Sequence, residues 1–316
     1  MFDLDSLRQA ADLIHRSVPS TPQYAWPLLA ERIGCEVWVK HENHTPAGAF
    51  KVRGGVLYVH ELIKREAHLP GLVTATRGNH GISLAMAARK AGLRLKILVP
   101  EGNSTEKNAA MRACGAEVVE HGRDFDTARQ RAAELTEANG WHFVPSLHPD
   151  LIRGVATYAL ELLEAVPNLR RVYVPIGLGS GICGMIRTRD LLGLDTEIIG
   201  VVSSAADAYA QSFEQGRIVT TETANTFADG IACRMPAPEA LDIIRNGAAR
   251  IVRVDDTEIR QAIIAFHEDT HNLAEGAGAA ALAAAMQERE RNRGERMAVV
   301  LSGANIDREV LAGILA

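Results

Sequence analysis

Four short segments bring together residue types that could do chemistry. The first is "HTPAGAFKVRGG", residues 44–55, where Pro46 and Gly48 make a turn and Lys51 falls at a predicted helix start. The positive end of a helix dipole disfavours a cation. A lysine in an apolar, electropositive place has a depressed pKa and can act as a nucleophile. Phe50 is too apolar for a solvated loop, yet a surface lysine beside a turn also fits these residues. The second segment is "TRGNHG", 76–81, with Gly78 and Gly81 flanking Asn79 and His80 before a predicted helix. Backbone N–H groups at that helix start could hold a carboxylate. The third, "GLGSGICG" at 177–184, is a glycine-rich turn into a helix and suits a phosphate held by backbone donors. The fourth, "SGANID" at 302–307, puts Ser302 at a strand tip. Taken singly, each has a plainer reading: a packing turn, a cap, a backbone-bonded serine or a structural histidine.

The elements that must position these residues alternate between strand and helix. "EVWVK" at 36–40, "GLVTA" at 71–75, "LKILVP" at 95–100 and "AEVVEH" at 116–121 are predicted strands. So are "RVYVPI" at 171–176, "EIIGVV" at 197–202, "RIVRV" at 250–254 and "MAVVLS" at 297–302. Helical patterns such as "GISLAMAARKAG", "STEKNAAMRACG" and "FDTARQRAAELTEANG" lie between them and end near glycines. Strands joined through helices imply parallel sheets covered on both faces, an α/β fold. Ligands of such sheets bind at the carboxyl ends of strands, where the last three segments fall. There is no internal repeat and no evident linker, and turn residues cluster in "VPSLHPDLIRG", 144–154, the predicted break between domains.

Composition narrows the functional classes. With 47% hydrophobic and 23% charged residues, the 316-residue chain reads as an ordinary globular protein with a sizeable core. A net charge of −5 gives no reason to expect nucleic acid or an anionic membrane as partner. The start, "MFDLDSLRQAADLIHRSVPS", lacks the features of a signal peptide, and "AGAAALAAAM" is too short to span a bilayer and is predicted as a buried helix. Cys35, Cys114, Cys183 and Cys233 are scattered without paired spacing, which points to reduced thiols and a cytoplasmic location.

In their order, the segments resemble the fold-type II pyridoxal phosphate enzymes, and within them the serine/threonine dehydratase (threonine ammonia-lyase) group, which includes serine racemase. "KHENHTPAGAFKVRGG" is similar to the group's lysine segment, "TRGNHG" to its asparagine loop and "PIGLGSGICG" to its phosphate loop. "FADGIAC" (227–233), "EGAGAAALAA" (275–284) and "LSGANID" match three further segments. The resemblance spans nearly the whole chain. It implies a tryptophan synthase β-subunit-like fold of two domains, each with a mostly parallel sheet flanked by helices. Residues 1–52 and 146–316 would form the large cofactor-binding domain and 53–145 a small mobile one carrying the asparagine loop. It also implies the cofactor pyridoxal 5'-phosphate, an amino acid substrate and a homodimer. Lys51 would form the Schiff base and later act as the base. Phe50 would pack on the ring and Asn79 would bond its hydroxyl. Gly177, Gly179, Ser180 and Gly181 would hold the phosphate, Gly230 would lie against the ring and Ser302 would bond the pyridine nitrogen. Thr76, Arg77, Gly78, Asn79 and His80 would meet the substrate. A neutral serine hydroxyl does not stabilise a positive pyridine nitrogen as aspartate does, which favours β-elimination over transamination. The implied reaction takes a β-hydroxy amino acid to a 2-oxo acid and ammonia.

The sequence also departs from that pattern. Arg77 stands where serine racemases carry a serine that serves as a second base, and an always-charged guanidinium is a poor base, so racemisation loses support. Arg77 could bind a second carboxylate, which admits 3-hydroxyaspartate beside threonine, serine and phenylserine, or it could point to solvent. Val202 and Ala208 fall where relatives with a metal have acids, so no metal is expected. Ala49, Ile82 and Ala304 replace a usual serine, glutamine and glycine. The sequence stops shortly after "SGANID", so a regulatory C-terminal domain and feedback by isoleucine are not expected. The alternatives are a β-replacement enzyme of the cysteine synthase type, an amino acid racemase, and a non-catalytic pyridoxal phosphate- or nucleotide-binding protein.

Overall fold

β-Branched and apolar runs become strands, and the patterns between them become helices, in a computed structural model that describes residues 1–66, 68–123 and 125–316. The strands are β1 (Gln23–Ala25), β2 (Glu36–His41), β3 (Leu72–Ala75), β4 (Leu95–Val99) and β5 (Glu117–Glu120). They continue as β6 (His142–Phe143), β7 (Arg171–Pro175), β8 (Glu197–Ser203), β9 (Ala248–Val254) and β10 (Arg296–Leu301). Two sheets form: one in the order β1-β2-β10-β7-β8-β9, the other β5-β4-β3-β6. Every pairing is parallel except β1 with β2. The larger sheet therefore draws on residues 23–41 and 171–301, and the smaller on 72–143.

Two strands were not foreseen. β1 is three residues at an antiparallel edge, and two of them are exposed, so it carries no apolar alternation. β6 is two residues long and pairs only at the edge of the smaller sheet. The central strand β10, by contrast, is buried from Met297 to Leu301, as a parallel strand covered on both faces must be.

The alanine-rich segment forms the helix Gly276–Gln287, buried along its length up to Ala285. Small side chains let this helix lie close to the larger sheet, with Ala279 to Ala285 in one core with Val37, Val39 and Val299. No helix among the described residues is long and apolar enough to cross a membrane.

The Lys51–Arg65 helix is tied down by charge just after its start. Arg53 is fully buried, and its guanidinium donates to Glu42 at 2.7 and 3.0 Å and to Glu161 at 2.6 and 3.0 Å. Lys40 on β2, also fully buried, reaches Glu161 at 2.5 Å. Burial opposes ionisation of Glu161, yet Arg53 and Lys40 pull its carboxyl down to about 2. Strand β2 and the helices Lys51–Arg65 and Pro149–Ala165 thus share one ionic anchor two residues beyond Lys51.

Candidate active site

The carboxyl ends of three neighbouring strands, β2, β10 and β7, supply the lysine segment, Ser302 and the glycine-rich turn. A bridge between Ala49 and Gly303 and a bond from the Phe50 N–H to the Ser302 carbonyl at 3.0 Å stitch the first two together. Strand β3 delivers the asparagine loop from the smaller sheet. A cavity of about 990 Å³ lies between, and every site residue singled out in the sequence lines it.

Lys51 opens its helix, as the sequence predicts, and its amine donates to Ser180 Oγ at 3.1 Å. Burial pushes the amine down from 10.5 to about 8, so a reactive neutral fraction exists near neutrality. The nitrogen lies 5.0 Å from the centroid of the Phe50 ring, which meets Tyr158 edge-on at 6.0 Å. Ser180 stands at the start of the Ser180–Leu191 helix, beside the lysine as well as in the glycine turn.

That turn has bare backbone where a side chain would be obstructive. A Cβ on Gly177 would fall 2.3 Å from the Gly230 carbonyl oxygen, and Gly179 adopts φ +105° to turn the chain into the helix. Gly181 has its missing Cβ 3.6 Å from the Phe50 ring. The result is a helix N-terminus with unobstructed N–H groups facing a cavity that also holds a neutralisable amine. This donor set fits a phosphate-bearing aldehyde such as pyridoxal phosphate. Ser302 is 4% exposed and its hydroxyl makes only a long 3.4 Å bond to the Ala277 carbonyl, leaving it available to a ring nitrogen.

In the asparagine loop the Thr76 hydroxyl is occupied, accepting from the Gly78 N–H at 3.0 Å. Asn79 donates to Glu275 at 2.5 Å and accepts from Asn305 at 2.8 Å. His80 is held by the Pro145 carbonyl, while its Nε2 is buried without a partner. Burial, and then the Lys51 charge, drive the imidazole down to about 3, so it stays neutral and presents an acceptor. Arg77 is exposed, lines the cavity and makes no ion pair among the described residues. Arg129, on the Phe125–Asn139 helix, does the same.

A family profile described as pyridoxal-phosphate dependent enzyme matches residues 14–303. The chain belongs to that family. This pyridoxal-phosphate dependent enzyme is 35% identical over 316 residues to the L-threonine ammonia-lyase of Geobacter sulfurreducens, covering all of this chain and 78% of that protein. It is 30% identical to the L-threo-3-hydroxyaspartate ammonia-lyase of Saccharomyces cerevisiae over 307 residues, 97% of this chain and 94% of the other. In structure it is similar to maize serine racemase, with a TM-score of 0.92, 27% identity and coverage of 98% and 96% of the two chains. The enzyme therefore has the fold-type II architecture and pyridoxal phosphate as cofactor.

Besides Arg129, sequence reasoning passed over four residues of this site. Glu275 and Asp229 lie inside segments matched for their glycines, and Asn305 inside the Ser302 segment, but none was given a role. Lys107 belongs to "STEKNAAMRACG", read only as a helical pattern, yet it is 6% exposed and lines the cavity. Nothing in the local pattern shows that its helix faces the other half of the molecule.

Proposed function

We propose that the enzyme is an ammonia-lyase that converts a β-hydroxy amino acid to a 2-oxo acid and ammonia. The observation that carries this reading is a half-buried, readily neutralised Lys51 amine in a cavity whose strand-tip partner at Ser302 is a neutral hydroxyl and not a carboxylate. When bound, pyridoxal phosphate supplies the electron sink that acidifies the α-hydrogen of an attached amino acid. Lys51 Nζ takes that proton, a role its depressed pKa suits near neutral pH. N–H groups of the 77–81 turn hold the substrate carboxylate at the start of the Asn79–Lys90 helix. His80 Nε2, neutral and unpartnered, accepts a hydrogen bond from a substrate donor. The proton taken from the α-carbon goes to the leaving β-hydroxyl, which departs as water; the released enamine becomes an imine, takes up water and yields the 2-oxo acid and ammonia. Arg77 cannot serve as a second base, so elimination is favoured over racemisation.

Two cations at the cavity that make no ion pair among the described residues, Arg77 and Arg129, favour one particular member of this class. A substrate with a second carboxylate, such as 3-hydroxyaspartate, would meet them bidentately. We place the enzyme in the cytoplasm as a homodimer, a reading supported by the family resemblance and by four cysteines without paired spacing. The test offers the holoenzyme L- and D-serine, L- and D-threonine, the 3-hydroxyaspartates and phenylserine, and measures ammonia and 2-oxo acid together. Equal release of both from one of them is the expected result. No release from any, with the cofactor visibly bound, refutes the ammonia-lyase reading and turns attention to β-replacement. If 3-hydroxyaspartate is preferred, Arg77→Ala should raise its KM about tenfold or more and leave that of threonine within about twofold, since a charged hydrogen bond is lost only with the former.

A further inference from the structure

The Lys51 amine has one hydrogen-bond partner among the described residues, the Ser180 hydroxyl, 3.1 Å away. That contact is also the one hydrogen bond of Ser180 Oγ among the described residues, so the hydroxyl hydrogen is free to turn. Ser180 itself is 2% exposed and opens the Ser180–Leu191 helix. Two buried tyrosines pin the chain on either side of it. Tyr209 donates to the Leu178 carbonyl at 2.9 Å, and Tyr158 donates to the Gly181 carbonyl at 3.0 Å. Each tyrosine is 1% exposed, and the Tyr209 hydroxyl is held in turn by the Ala237 N–H at 3.0 Å. Ser180 is therefore a fixed point in the cavity wall. Lys51 has no such fixity, since its amine rides on a flexible four-carbon stem.

We propose that Ser180 is a positioning residue for the reaction's base: its hydroxyl holds the freed Lys51 amine, protonated or neutral, at a point fixed by the glycine-rich turn. The proposal rests on the reading that Lys51 Nζ takes the α-proton. In each turnover that amine gains a proton, as the C–H bond at the α-carbon breaks, and then gives it up again. Its partner must suit both states. A hydroxyl does so: it accepts from an ammonium and, by rotating about its C–O bond, donates to the lone pair of a neutral amine. Ser180 keeps its own proton throughout and only redirects it. A carboxylate in its place could only accept, and would hold the lysine as a cation, which is no base. A backbone N–H could only donate, and would leave the ammonium without an acceptor. This use of the side chain does not compete with phosphate binding, which the turn performs with backbone N–H groups.

The test uses Ser180→Ala and Ser180→Thr holoenzymes, with substrate carrying hydrogen or deuterium at the α-carbon. Ser180→Ala should lower kcat about tenfold or more, the loss expected for one hydrogen bond to a charged group, with KM and the cofactor Kd within about threefold of the parent's. Its residual turnover should carry an α-deuterium isotope effect, because proton removal is the step that suffers. Ser180→Thr keeps the hydroxyl and should recover kcat to within about threefold of the parent. A serine that merely completes the phosphate loop predicts otherwise: Ser180→Ala would bind the cofactor about tenfold more weakly and, once saturated with it, turn over at the parent's rate. That result overturns the proposal. So does residual turnover without an isotope effect, or a Ser180→Thr protein that binds the cofactor as the parent does and is as slow as Ser180→Ala. A second readout needs no turnover. When pyridoxal phosphate is added to cofactor-free protein, its visible band appears faster as the pH rises and the Lys51 amine loses its proton, so the midpoint of that rate reports the amine. Ser180→Ala should move the midpoint down by about half a pH unit or more, since the ammonium loses its hydrogen bond, and Ser180→Thr should leave it in place. An unmoved midpoint in Ser180→Ala overturns the proposal. If the parent releases ammonia from no amino acid, the ammonia-lyase reading falls on its own assay, and the midpoint still decides whether Ser180 holds the amine.

Discussion

Lys51 makes the folded protein less stable than it need be. The cofactor-free chain half-buries this residue, and the burial holds the amine's pKa at about 8 where an exposed lysine has 10.5. At about 1.4 kcal/mol per pH unit, that interval corresponds to roughly 3 kcal/mol. The sign follows from proton counting. Between pH 8 and 10.5 the unfolded chain binds more protons at this residue than the folded one, so stability rises with pH across that window. Below pH 8 both states are protonated and the full cost is present. Replacing Lys51 with methionine, which has similar length and no charge, removes the cost. The variant stripped of cofactor should therefore be more stable than the parent by up to about 3 kcal/mol at pH 7, with the gain fading as the pH is raised from about 8 past 10.5. Thermal unfolding of the two cofactor-free proteins across this range measures it. A Lys51→Met protein no more stable than the parent at pH 7, or one whose advantage is constant with pH, would refute the argument that burial tunes this amine.

Three further outcomes follow from the geometry. Gly177→Ala drives a Cβ to 2.3 Å from the Gly230 carbonyl and should weaken the cofactor about tenfold or more, as overpacking costs about 1–3 kcal/mol; cofactor fluorescence titration reads it. Arg53→Met leaves the fully buried Glu42 without a cation and Glu161 with Lys40 and His15 only, and should cost about 3–5 kcal/mol in denaturant unfolding. The parent's Glu161 contribution, held above the unfolded pKa of 4.5 and lost as pH falls toward about 2, should shrink in the acid limb of that variant's stability profile, with the part due to Lys40 remaining. If residues 53–145 form a mobile domain that closes on substrate, their amide exchange should slow with a bound substrate analogue; identical exchange with and without it would count against closure.

Much of the site was legible because its chemistry is carried by local signals. Lys51, Asn79, Ser302 and the glycine turn each follow a strand, and parallel strands put their carboxyl ends together wherever the chain folds at all. Gly177 and Gly179 announce themselves because nothing else fits their positions. What stayed hidden depends on which helix faces which sheet. Lys107 is paired across 122 residues with Asp229 and 168 with Glu275, and its own helix looks amphipathic in the usual way. Arg53 sits in plain view two residues from Lys51, yet its burial is set by Glu161, 108 residues away. β1 and β6 were lost for a simpler reason: edge pairings two or three residues long leave no periodicity to read.

The order of strands in the larger sheet has a bearing on how the protein is made. β10, the last of the ten in the chain, lies between β2 and β7, so the sheet closes only after its latest strand arrives. A growing chain on the ribosome carries β2 through most of its synthesis, and β7 through much of the second half, with the edges that should pair to β10 unpaired. The smaller sheet, whose strands end at Phe143, has no such wait. During translation the half that will carry Asn79 can be complete while the half that carries Lys51 is still open. Catalytic competence, in that sense, is withheld until the ribosome has passed Ser302.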